Sequence, residues 1–147
     1  MELKEDKAIH SFKSGLNCAQ AVLTAYSGEF NLNNDLALSI SCGFGGGMGR
    51  LQETCGAVTG SFMVLGLYNS KKYSECRTRK GETYSMIQGF SNKFKLIHHT
   101  MDCRSLLKCD LNTEEGKRYF TINNLSAIVC ERCISDSIRI LEELIER

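Results

Sequence analysis

Proline is absent from the chain, and polar and β-branched residues seldom alternate. Proline is the common punctuation of strand-and-turn proteins, and alternation with period two is the strand signal, so both absences argue against a sheet. Charge of one sign is also missing: lysines and arginines are interspersed with acids, and the formal net charge is +1. Such balance leaves no footprint for nucleic acid or an anionic membrane. The longest apolar run, from Ser61 to Tyr68, falls far short of the roughly 20 residues a membrane-spanning helix needs. It reads as a buried helix, and no membrane insertion is expected. The N-terminus is charged and leads straight into a helical pattern, unlike a secretory leader, so a cytoplasmic location is expected.

Cysteine is abundant instead, with eight in 147 residues. A chain of this length builds a core without covalent staples. In a reducing compartment, such a set of thiols points to metal binding or redox chemistry rather than to a disulfide framework.

The pattern predicts a single all-α domain over residues 1–147, a compact bundle of about five main helices. The first runs from about Leu3 to Tyr26, interrupted at Gly15, with Ala8, Phe12, Cys18, Val22 and Tyr26 near the helical period. Asn33 to Asp35 cap a second, from Leu36 to about Gly43, which a glycine run ends. Thr54 caps a third, Cys55 to Asn69. A long amphipathic helix follows, from about Tyr73 to His99, with Tyr84, Ile87, Phe90, Phe94 and Ile97 on one face. Its exposed face offers a surface for a homodimer. Short turns cover Cys103 to Lys108 and Thr113 to Phe120. After Asn123-Asn124 comes the clearest stripe, Cys130, Cys133, Ile134, Ile138, Leu141 and Ile145.

Cys55 is the best single candidate for chemistry. At the first turn of a helix its sulfur meets free backbone N–H groups and the positive end of the dipole, which favour the thiolate. Gly56, Ala57 and Gly60 clear one face beside it, either for a tight helix crossing or for a bulky inorganic group. Gly45, Gly46 and Gly47 precede it without the Gly-Lys-Ser/Thr ending of a nucleotide loop, so they read as close backbone packing around the cysteine, with Arg50 adding positive charge.

Cys130-Glu-Arg-Cys133 is a CxxC pair. It lacks the βαβ setting of a thioredoxin, the following histidine of c-type haem attachment, and the second close pair of a zinc knuckle. Both sulfurs share the inward face of the last helix. Cys18 lies on the inward stripe of the first helix and Cys103 starts a helical turn, whereas Cys42, Cys76 and Cys109 read as packing or surface thiols. His98 and His99 point about 100° apart on a helix, so at most one faces any site.

The segments Asn17-Cys-Ala-Gln-Ala-Val22, Gly43-Phe-Gly-Gly-Gly-Met-Gly-Arg50, Thr54-Cys-Gly-Ala-Val-Thr-Gly60, Cys103-Arg-Ser-Leu-Leu107 and Cys133-Ile-Ser-Asp-Ser-Ile138 together resemble the C-GCAxxG-C-C family of redox-active proteins. That family is defined by four cysteines, which carry over to Cys18, Cys55, Cys103 and Cys133. Cys130 stands as a substitute for the last. The chain reads Thr54-Cys55-Gly56-Ala57, the CGAxxG form of the motif.

The family is similar to part of the split-Soret cytochromes, which implies a non-haem iron-sulfur cluster held by the four thiolates, for electron transfer. The haem-binding segments of those cytochromes are missing here, so no haem is expected. The resemblance also implies an unidentified redox partner and association with a transporter. Two alternatives stand beside the cluster. One is metal-free thiol/disulfide exchange with Cys55 as the attacking thiolate, and the other is a zinc-bound or cysteine-rich interaction module.

Overall fold

The computed structural model describes residues 2–147. Among these residues the fold is all helical: α1 Lys4–Lys13, α2 Cys18–Ser27, α3 Asn34–Ser41, α4 Gly56–Lys72, α5 Cys76–His98, α6 Cys103–Leu107, α7 Glu114–Ile122 and α8 Arg132–Leu144. The bundle therefore has eight helices rather than about five. No helix is long and apolar enough to cross a membrane among the described residues.

The expected first helix is two. Gly15 takes φ +119°, outside any helix, and the chain restarts at Asn17, whose side chain accepts from the Gln20 N–H at 2.9 Å while Gln20 Oε1 accepts from the Asn17 N–H at 3.1 Å. This reciprocal capping box satisfies two otherwise unpaired groups and makes Cys18 the first residue of α2. The side chains of Asn33, Asp102 and Thr113 cap α3, α6 and α7 by accepting the N–H groups of Leu36, Ser105 and Gly116. Thr54 does not cap α4. Cys55 is the residue before its first turn, and Thr54 pairs as an isolated antiparallel bridge with Asp102. The long helix begins at Cys76, three residues later than its apolar pattern suggests.

The core gathers Leu23, Tyr26, Val58, Val64, Leu65, Phe90, Phe94, Ile134, Ile138 and Leu141, all essentially sealed from solvent. Phe62 meets Phe90 edge-on at 5.8 Å between centroids, and Phe90 stacks on Phe94 at 6.2 Å. These rings hold α5 against α4 and α8. Tyr84 and Ile97, placed by the pattern on the same face of α5, are exposed. The buried stripe of α5 is thus narrower than its apolar residues imply.

The tightest crossing joins α2 to α4. A Cβ on Gly60 would stand 3.0 Å from the Ala19 carbonyl oxygen, and one on Gly56 would stand 2.9 Å from that of Phe44 and 3.2 Å from Cys18 Cβ. Hydrogen in place of a side chain is what lets the two helix starts lie side by side. Cys18 and Cys55 consequently enter one end of the bundle together.

Candidate functional site

The segment between α3 and α4 builds one wall of that end. After a single tight turn over Cys42–Phe44, Gly46, Gly47, Met48, Gly49, Arg50 and Gln52 all take left-handed φ between 55° and 68°. Three of these carry side chains, a conformation that costs energy and is held by the surroundings. The N–H groups of Arg50, Gln52 and Glu53 donate back to the carbonyls of Gly45, Gly46 and Gly47 at 3.2, 3.0 and 2.9 Å. A Cβ on Gly47 would meet Cys103 Cβ at 2.6 Å, and one on Gly45 would meet the Asn17 side chain at 2.7 Å. The glycines lie as close backbone packing around the cysteines, with their neighbouring N–H groups engaged within the loop.

Backbone pairing then fixes Cys55 beside Cys103. The Cys55 N–H donates to the Met101 carbonyl at 2.8 Å, and the Cys103 N–H to that of Glu53 at 2.6 Å. Gln52, buried between these strands of chain, donates from Nε2 to the Cys109 carbonyl at 2.9 Å and accepts the Leu111 N–H on Oε1 at 2.8 Å. It also donates toward the Cys103 sulfur.

The last wall is a π-helical segment, Ser126–Glu131, leading into α8. Its wider turn shifts the register ahead of Arg132. Cys133 and Cys130 therefore reach different partners. Cys133 is buried against Cys55, to which its thiol donates, while Cys130, half-buried, accepts the thiol hydrogen of Cys18.

Six of the eight cysteines line one cavity of about 590 Å³: Cys18, Cys42, Cys55, Cys103, Cys130 and Cys133. Phe12, Leu106, Leu107, Leu111, Phe120 and Val129 form apolar walls, and Arg50 and Lys117 are its charged residues, with no carboxylate in the lining. The four cysteines carried over from the motif thus border one cavity from four separate segments, and Cys130 borders it as well. Cys42 is exposed on the same cavity. Cys76 lies elsewhere on the surface, and Cys109 packs under the small cluster of Cys103, Leu107 and Leu125. His98 does not enter the site: it stacks on Phe94 at 4.5 Å and pairs with Asp136 at 2.9 Å, while His99 ends α5 in a left-handed turn.

The electrostatics sort the sulfurs. Cys55 is held below the ordinary thiol range by the Cys133 S–H and by the N–H groups of Ala57 and Val58, against the opposing effect of burial. Cys133 is raised because it donates to Cys55, with burial reinforcing this. Cys18 is raised mainly by donating to Cys130 and then by burial. Burial, followed by the neighbouring sulfurs, pushes Cys103 up to about 12, partly offset by the Gln52 N–H. One thiolate is thereby favoured while three neighbours keep their protons. Among the described residues, no group of three or more His, Cys, Asp or Glu side chains closes on a point to hold a metal ion.

The family model described as "Putative redox-active protein (C_GCAxxG_C_C)" matches residues 16–144, and the chain belongs to that family. Neither the curated proteins nor the solved structures give a match to the chain.

Gln52 carries no periodic or motif signal and was not legible as a site residue. Its neighbours Leu51 and Glu53 are exposed, and its partners lie 57 and 59 residues away.

Proposed function

We propose that the cavity holds an iron-sulfur cluster on Cys18, Cys55, Cys103 and Cys133 and that the protein transfers electrons through it. The observation that carries this reading is that four thiols from four separate segments border one cavity. A lone ion needs its ligands drawn to a single point, whereas a cluster distributes terminal thiolates over several irons and needs room between them. The donor set is all sulfur, as such clusters require, and the cavity wall has no competing carboxylate. When bound, the cluster supplies one-electron transfer at a potential set by burial and hydrogen bonds to sulfur.

The chain's own residues prepare the site. The N-terminus of α4 stabilises negative charge at Cys55. Gln52 directs an N–H at Cys103. Phe12, Phe120, Leu107 and Val129 exclude water. Cys18, Cys103 and Cys133 must give up protons to become ligands, so loading releases protons and weakens as the solution is acidified.

The hydrogen bond from Cys133 to Cys55 favours a second reading, metal-free thiol/disulfide exchange. Cys55 would attack a disulfide as thiolate and Cys133 would resolve the mixed disulfide. Iron and acid-labile sulfide per chain, with the visible spectrum, measured on protein purified without oxygen, separate the two. Stoichiometric iron and sulfide, lost in Cys55→Ser, are the expected result. Wild type that stays colourless and iron-free after reconstitution overturns the cluster and leaves exchange as the function.

A further inference from the structure

The net charge of +1 hides one local excess. Residues 70–82 hold five cations, Lys71, Lys72, Arg77, Arg79 and Lys80, against two acids, Glu75 and Glu82. Lys71 and Lys72 end α4 and the other three lie in the first turns of α5, so all five gather at the tip where the two helices join. None of the five makes an ion pair among the described residues. Elsewhere Lys4, Lys93, Arg139 and Arg147 each meet a carboxylate at 2.9–3.2 Å.

The tip holds a defined shape. Arg79, half-buried, donates from Nε to the Tyr73 carbonyl at 2.6 Å and closes the connection between the helices. Lys72 lies over the Tyr68 and Tyr73 rings at 5.6 and 5.4 Å from their centroids, and Arg77 and Lys80 are exposed. From Gly56, on the cavity wall, α4 rises about 24 Å to Lys72. The charge excess is therefore remote from the cysteines and outside their chemistry.

The composition of the tip selects its partner. A protein interface has an apolar, aromatic core, and no large apolar side chain is exposed between residues 70 and 82. Single-stranded nucleic acid stacks its bases on open ring faces, and here Lys72 covers the tyrosine rings. A duplex groove takes a helix lengthwise, whereas these cations stand at two helix ends. A field of lipid phosphates asks only for clustered positive charge.

We propose that the α4–α5 tip docks on an anionic phospholipid surface, with the cysteine cavity at the end of the bundle remote from the bilayer. The contact is peripheral and electrostatic, inserts no helix, and does not depend on what the cavity holds.

The test mixes the full-length, reduced chain at low salt with vesicles of phosphatidylcholine, either alone or with phosphatidylserine, and reads the bound fraction by flotation. The chain should bind only the vesicles that contain phosphatidylserine and should be released as added salt shortens the Debye length. Each clustered cation is worth about fivefold in partitioning, so Arg77→Gln combined with Lys80→Gln should weaken binding about 25-fold. Lys7→Gln combined with Lys95→Gln removes the same charge from exposed sites away from the tip and should leave binding close to wild type. Far-UV circular dichroism confirms that each variant is folded. Equal losses in the two double variants would assign binding to net charge and overturn the tip. Equal binding to both kinds of vesicle, no binding to either, or retention by duplex DNA where the anionic vesicles retain nothing, overturns the lipid surface.

Discussion

The helical body and the cavity end of this molecule are held together by different forces. In the body, Tyr26, Phe90, Phe94, Ile138 and Leu141 bury large apolar side chains completely, and stability follows the area removed from water. At the cavity end a second, smaller buried apolar cluster gathers Cys103, Leu107 and Leu125. Position there is set by backbone pairing across Glu53 and Cys103, by left-handed residues from Gly46 to Gln52, and by the carboxamide of Gln52. A body held by area tolerates small shifts, whereas an end held by directional bonds fixes five sulfurs in specific contacts. The difference assigns stability to one region and chemistry to the other.

The largest effect should come from the body. Phe94→Ala empties a site shared by Phe90 and His98 and is expected to cost about 3–5 kcal/mol, whereas Leu107→Ala in the small cluster should cost about 2 kcal/mol. Urea unfolding monitored by circular dichroism measures both. Equal losses would mean that the cavity end carries as much of the global stability as the body, and the contrast would fail.

Gln52→Leu should come next. It keeps the side chain's bulk but strands the half-buried Cys109 carbonyl and Leu111 N–H, at about 1–3 kcal/mol in all. Hydrogen exchange should show the loss confined to residues 103–111, with α4 and α8 unaffected. Protection lost evenly along the chain would show that the two regions unfold as one.

The thiols give the third test through pH. Burial pushes Cys103 up to about 12, and Cys18 and Cys133 are raised as well. In the unfolded chain a thiol loses its proton near 8.5. Above that value the folded state still binds protons that the unfolded state has released, so this contribution to stability is full below about 8.5 and falls as pH climbs toward the folded values. Cys55 acts in the opposite sense: its lowered value stabilises the fold above the ordinary thiol range, and that part is lost as pH falls through it. The melting temperature of the iron-free chain should therefore drop from about pH 9 upward, and Cys103→Ala should flatten the drop. A flat wild-type profile would mean that these thiols are not held protonated.

Legibility in the sequence divides along the same line. The stripe of Ile134, Ile138, Leu141 and Ile145 is readable from spacing because packing of a helix face repeats with the helix period. The Asn33 cap is readable because capping is local, whereas the cap at Asn17 is hidden inside a helix that reads through from Leu3 to Tyr26. Cys18, Cys55, Cys103 and Cys133 emerge from motif residues, but nothing local says that Cys130 and Cys133, close in sequence, turn to different partners. That depends on a π-helical register shift at Ser126–Glu131, which periodicity does not signal. The exposure of Tyr84 and Ile97 also depends on what lies across from them.

Asn17 stands where the two regions meet, and the smallest expected change in stability is the sharpest test of the contrast. Its Oδ1 caps α2 in the body's manner, while its Nδ2 donates at 3.0 Å to the Cys42 carbonyl on the cavity wall. Asn17→Ala should cost about 1 kcal/mol, the ordinary value of a lost cap. Asn17→Asp restores the acceptor but not the donor, so it should recover most of that stability. Cys18, the next residue, should respond differently: if the cavity wall is positioned by directional bonds, its alkylation rate in the reduced, iron-free chain should change in both variants, including the one whose stability returns. A rate that simply tracks stability across the pair would mean that Cys18 is placed by helix packing alone and that the cavity end is an extension of the body.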